Sequence, residues 1–144
     1  MFFNEVDVLD IRLHELDDVV DRFVIIEATI THSGYPRELI FPRHRHRYER
    51  FSRKILYRPL LSSESLLAPH ESSWQRERSQ RDHIHPYLLE IGACDSDILI
   101  VSDVDEIPRA KIIGEYNSSN GLKKLDMAMF YYFLNLRIAP NGWA

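Results

Sequence analysis

An α/β domain with a largely parallel sheet and helices on both faces is what this chain of 144 residues predicts. Three observations carry that expectation. Short β-branched apolar runs, FVIIEAT at 23–29 and DILIVS at 97–102, have the composition of strands buried on both faces. Stretches with helical spacing of apolar residues alternate with those runs. No linker or shift in composition divides the chain, and its length suits one domain, 1–144, with its own core.

The elements follow in order. Val6, Leu9, Leu13 and Leu16 recur at helical spacing and predict a helix over 5–17, with Asn4 as N-cap. Strand 23–29 comes next, then a turn over 31–38 carrying Gly34 and Pro36. KILY at 54–57 reads as a brief strand, and 58–73 as a loop with serines and two prolines. Residues 74–91 read as a helix, and 97–102 as a buried strand. Pro108 suits the first turn of a helix over 108–116. NSSNG at 117–121 is a turn, and MAMFYYFLN at 127–135 a strand.

Composition excludes several functions. The net charge of −4 offers no general attraction to nucleic acid or anionic membranes. RHRHRYERFSRK (43–54) is the one basic run, and its interleaved Tyr48 and Phe51 could stack on bases, but in an acidic chain it reads as a solvated loop. The single cysteine, Cys94, excludes an internal disulfide and a Cys-rich zinc site, and reads as a small packed residue. No run approaches the ~20 apolar residues of a membrane span. MFFNEVDVLD lacks the features of a signal peptide. A cytoplasmic or membrane-peripheral location is the expectation.

The chemistry concentrates in SDVDEIPR, where an apolar run ends in Asp103, Asp105 and Glu106. In an extended chain residues i and i+2 share a side, so Asp103 and Asp105 converge while Val104 anchors on the core. Open α/β sheets bind ligands outside the carboxyl ends of their strands. Two carboxylates there suit Mg²⁺ or Mn²⁺, and through it the phosphates of a nucleotide. Helix capping is the alternative, because Asp103 and Glu106 have capping-box spacing ahead of Pro108. Asp95 and Asp97 repeat the spacing before the apolar run and belong to a turn.

Two more groups are candidates. Trp74, Glu77, Arg78, Arg81, Ile84, Leu88 and Ile91 share a helical face, yet 75–83 holds no apolar residue, so this stripe could line a site. Arg81 could meet a diphosphate, or simply pair with Glu77 at i,i+4. Glu27, at the end of its strand, could accept from ribose hydroxyls or a uracil edge, or pair with a nearby Arg.

SDVDEIPR resembles the signature of the family-17 glycosyltransferases. FFNEVDVLDIRLHELDDVVDRFVIIEA (2–28) is similar to that family's opening, with its Leu-x-x-Arg-x-x-Glu-Leu helix. Thr31, Gly34 and Pro36 match the following turn, and Phe51, Lys54 and Ile55 the next strand. Trp74, Glu77, Gln80 and Arg81 match a Trp-x-x-Glu-x-x-Gln-Arg helix. The resemblance covers most of 2–110. It implies a GT-A type of fold, UDP-GlcNAc as donor, a divalent cation (Mn²⁺ or Mg²⁺) and inversion at the anomeric carbon. The acceptor it implies is a glycan, as in N-linked glycosylation, or a polysaccharide.

Carried over, Asp103 and Asp105 hold the metal and diphosphate, and Glu106 supports them or reaches the sugar. Glu27 and Arg81, read from their positions, are the further candidates for binding the nucleotide sugar, and Glu106 and Asp126 are the candidate bases within the chain. The family usually has a strand before the Phe-Phe-Asn-Glu stretch and extends beyond Trp143. The expectation is therefore a nucleotide-sugar-binding domain truncated at both ends. The alternatives are an inactive or binding-only fragment, and a haloacid-dehalogenase-type phosphatase, whose Asp-x-Asp normally continues differently.

Overall fold

The computed structural model of the chain describes residues 1–61, 72–116, 121–128, 130 and 137. The chain divides into two compact units, Met1–Ile107 and Pro108–Ala144.

In the first unit the periodic leucines form α1, Val6–Leu16, and bury Leu9, Leu13 and Leu16. Asn4 does not cap it: the N-cap is Glu5, whose Oε2 accepts from the backbone N–H groups of Phe3 and Asn4. The next strand is β1, Phe23–Ala28, and it pairs in parallel with β2, Ile55–Leu60. The register runs from Phe23 opposite Ile55 to Ala28 opposite Leu60. β2 is longer than KILY alone suggests and takes in Pro59. On the other edge of β1, Phe2 N–H donates to Ile26 C=O at 3.0 Å.

Both faces of this sheet are covered. Ile26, Ala28 and Leu60 pack with Ile84 and Tyr87 of α4, Ile84–Glu90. On the opposite face Tyr57 stacks on Phe41, ring centroids 4.6 Å apart, and Phe41 stacks on Tyr48 at 5.6 Å. Phe41 opens α2, Phe41–His44, and Tyr48 lies in the 3₁₀ segment Arg45–Phe51. The basic run 43–54 is therefore not a plain solvated loop. Its Tyr48 and Phe51 are core residues, 1% and 2% exposed, and its arginines point outward. Rings buried in this way cannot stack on bases.

The predicted helix 74–91 is two helices, α3 (Ser73–Asp82) and α4, separated at His83. Pro86 accounts for the break, since its ring clashes with the carbonyl four residues earlier, that of Asp82. A capping box starts α3: Ser72 Oγ accepts from Gln75 N–H, and Gln75 Oε1 accepts from Ser72 N–H. The buried side of α3 is Arg76 and Gln80, not the Trp74 stripe, and Trp74 is 73% exposed.

The largest departure concerns 97–102. That run joins no ladder among the described residues, and Ile98, Leu99 and Val101 are all more than half exposed. Apolar composition sets a preference for burial, but a strand also needs a neighbour's backbone to pair with. Cys94 is likewise exposed rather than packed. Asp97 does belong to a turn: its carboxylate accepts from Cys94 N–H, and its own N–H donates to Cys94 C=O.

In the second unit α5 spans Ala110–Gly114 with Arg109 as N-cap, so Pro108 precedes the helix instead of opening it. Tyr116 Oη donates to Gly121 C=O at 2.6 Å. Most of the turn 117–121 and of the strand expected at 127–135 lies outside the described residues, and Phe130 and Arg137 form an antiparallel bridge. Among the described residues no helix is long and apolar enough to cross a membrane.

Candidate functional site

Because β1 and β2 are parallel, their carboxyl ends lie side by side. A cleft of about 220 Å³ opens there, where α/β sheets bind ligands. Phe2, Ile26, Ala28, Ile30, Leu60 and Val104 are among its apolar lining. Glu77, Gln80 and Arg81 of α3, with Asp103 and Asp105, supply the polar lining.

The turn after β1 also reaches the cleft, through His32. Thr31 and Tyr35 close it backbone to backbone, and Gly34 sits at φ 86° within it. A side chain at Gly34 would be strained by that φ, and its Cβ would lie 3.4 Å from the Arg76 guanidinium. Arg76 Nε in turn donates to His32 C=O at 2.7 Å, tying the turn to α3.

Asp103 to Ile107 form a turn, with Glu106 N–H donating to Asp103 C=O and Ile107 N–H to Asp105 C=O. Val104 is buried, yet it lines the cleft together with both aspartates, so in this turn the three consecutive side chains do not alternate as they would in an extended chain. Glu106 Oε2 accepts from Asp103 N–H at 2.9 Å. That is capping-box geometry on a turn: α5 begins at Ala110 with Arg109 as its N-cap, so neither aspartate caps it.

Two arginines hold this turn. Arg12 of α1 donates through Nη1 to Asp103 C=O (2.9 Å) and Glu106 C=O (2.8 Å), and through Nη2 to Ser102 Oγ (2.6 Å). Burial lowers the pKa of its guanidinium, while Glu106, Asp103 and Asp105 push the other way. Arg81 donates to both oxygens of Asp103, at 2.9 and 3.1 Å, and to Glu77 Oε1 at 3.0 Å. Burial opposes the charge on Arg81, but Asp103 and Glu77 outweigh it and raise its pKa. The i,i+4 pair with Glu77 is formed, and the same guanidinium lines the cleft.

Sequence reasoning did not single out Arg12 as a site residue. The available signals were its place in the Leu-x-x-Arg-x-x-Glu-Leu motif and a charge one turn from Leu9 and Leu16 on the stripe that α1 buries.

Glu27 takes the other of its two predicted roles. Its side chain is fully buried, and its oxygens accept from Arg37 Nη2 (2.9 Å), Ile40 N–H (2.6 Å), Phe41 N–H (3.1 Å) and Tyr57 Oη (2.9 Å). Four donors fill a carboxylate, so no place remains for a ribose hydroxyl or a base edge. Glu27 anchors the segment leading into α2. Asp126 lies in the second unit and is exposed there. The cleft itself is built from first-unit residues.

Among the described residues no three His, Cys, Asp or Glu side chains form a ready-made cation site. Asp103 and Asp105 nonetheless fit a Mg²⁺-type ion, which takes one or two carboxylates from the protein and its other ligands from phosphates and water.

The glycosyltransferase family 17 model matches residues 1–144. Curated proteins named β-1,4-mannosyl-glycoprotein 4-β-N-acetylglucosaminyltransferase from Homo sapiens and Rattus norvegicus are each 32% identical over 113 residues, and that of Mus musculus is 31% identical. The alignment covers 73% of this chain and 20% of each relative, so the chain spans about a fifth of the length of the curated relatives it matches. No solved structure matches. A family match across the whole sequence, with relatives above 30% identity over most of it, establishes that the chain belongs to glycosyltransferase family 17.

Proposed function

We propose that this chain is a nucleotide-sugar-binding part of a glycosyltransferase that moves N-acetylglucosamine from UDP-GlcNAc to a glycan or polysaccharide hydroxyl with inversion. The observation that carries the reading is the convergence of Asp103, Asp105 and Arg81 on one cleft at the carboxyl ends of two parallel strands. Family membership and the names of the relatives support the reaction class.

In this reading Asp103 and Asp105 hold a divalent cation, which supplies charge stabilisation for the departing diphosphate. Arg81, already beside Asp103, is placed to donate to a phosphate oxygen of the same ligand. Arg12 keeps the turn in register by gripping its backbone, so both carboxylates face the cleft before any ligand arrives.

Inversion further requires a carboxylate to take the proton of the attacking hydroxyl. Glu106 and Asp126 are the candidates. The bond from Asp103 N–H to Glu106 Oε2 favours a turn-holding role for Glu106 over that of base.

A melting panel tests the donor class. UDP and UDP-GlcNAc with Mn²⁺ should raise the melting temperature, whereas ADP-glucose and GDP-mannose should not. An equal response to every nucleotide, or to none, contradicts the reading.

A further inference from the structure

Gln80 is 2% exposed, lines the cleft, and has an Nε2 with no hydrogen-bond partner among the described residues. A buried amide nitrogen without an acceptor destabilises the folded state, and most native buried polar groups avoid it. The other buried polar side chains among the unit's described residues are partnered: Glu27 has its four donors, and Arg76 donates to His32 C=O. Such an exception calls for an explanation, and functional sites are where exceptions of this kind are expected.

The surroundings define what that ligand group is. Gln80 shares the lining with Ile26, Ala28 and Leu60, and it precedes Arg81 in α3. A phosphate is better matched by Arg81, and a hydroxyl carries a proton of its own. A carbonyl oxygen on a partly apolar group is a pure acceptor and suits a neutral N–H₂ beside aliphatic side chains. A nucleotide sugar offers two such groups, the N-acetyl carbonyl of the sugar and the carbonyls of a pyrimidine.

We propose that Gln80 Nε2 donates to a carbonyl oxygen of the donor substrate and is a specificity-determining residue of the cleft. This rests on the nucleotide-sugar reading above.

The test is calorimetric titration of the full chain in Mn²⁺ with UDP, UDP-glucose and UDP-GlcNAc, on wild type and Gln80→Leu. Gln80→Met, closer to glutamine in length, repeats it. Urea unfolding of each variant accompanies the titrations. The variants should unfold at a urea midpoint no lower than wild type, because the orphaned amide is gone, while affinity falls about tenfold.

A loss confined to UDP-GlcNAc identifies the N-acetyl carbonyl, and an equal loss for all three ligands identifies the pyrimidine. Unchanged affinities overturn the proposal. So does a lowered midpoint in both variants, because the amide would then be serving the fold. A wild-type chain that binds none of the three ligands contradicts the nucleotide-sugar reading itself, an outcome distinct from unchanged variant affinities.

Discussion

Arg81 Nη2 donates to both carboxylate oxygens of Asp103, at 2.9 and 3.1 Å, and so occupies the group that a cation in the cleft would need. A cation arriving alone must compete with a guanidinium. A cation arriving with a diphosphate does not, because Arg81 can exchange the carboxylate for a phosphate oxygen. Ion and nucleotide are thus expected to bind better together than apart.

Arg81→Ala should therefore act in opposite directions on the two ligands. Mn²⁺ alone, titrated by electron paramagnetic resonance, should bind more tightly than to wild type. UDP in the presence of Mn²⁺ should bind about tenfold more weakly. Stability should change by only ~0–1 kcal/mol, since Arg81 is about a third exposed. Parallel losses of both ligands would contradict the exchange.

Arg12→Ala removes three hydrogen bonds from the acidic turn. Urea denaturation should show a loss of ~1–3 kcal/mol, the range for a hydrogen bond from a charged donor and the stranding of its acceptors. UDP binding should weaken as well. Arg12→Lys should recover part of the stability but little of the binding, because a single ammonium cannot span the three acceptors. Full binding in Arg12→Ala would remove Arg12 from the site.

Glu27→Ala should be the most damaging of these changes. It strands Arg37, whose side chain is 10% exposed, together with two backbone N–H groups and Tyr57 Oη. Breaking a buried pair of this kind costs ~3–5 kcal/mol, enough to unfold much of a marginal domain. Circular dichroism melting checks this. A mild stability effect combined with lost UDP binding would return Glu27 to the ligand role.

Alkaline stability has a definite sign. Burial pushes the Tyr48 hydroxyl, which donates to Val6 C=O, up to about 12 from an ordinary 10.0. Tyr57 moves in the same direction, from burial first and its bond to Glu27 second. Both raised values mean the folded state keeps protons that the unfolded chain gives up. The stabilisation is fully present below the ordinary tyrosine value and is lost as pH rises through the folded one. Urea midpoints should therefore fall from about pH 10 to 12, and fall less in Tyr48→Phe.

The parts of the fold legible in the sequence were those fixed by local pattern. The leucine spacing of α1, the β-branched run of β1 and the Gly34 turn are local chemistry, and each is in place. So are the coarse α/β character and the parallel pairing. The run at 97–102 misled because composition signals a wish for burial and says nothing of a partner strand. Glu27 was ambiguous because a strand-end carboxylate looks alike whether it meets a ligand or four internal donors. Its donors come from positions 37, 40, 41 and 57, which only the folded chain assembles. Asp103 and Asp105 were visible as a site motif; Arg12 was visible in the Leu-x-x-Arg-x-x-Glu-Leu helix, but its grip on Asp103, 91 residues away, was not.

The central claim is that the acidic turn and its cleft hold a nucleotide sugar through a cation. The direct measurement is calorimetric titration with UDP-GlcNAc, with and without Mn²⁺, on wild type and Asp105→Ala. Binding that requires Mn²⁺ in wild type and disappears in Asp105→Ala is the predicted result. Binding that ignores both the metal and the substitution contradicts the claim.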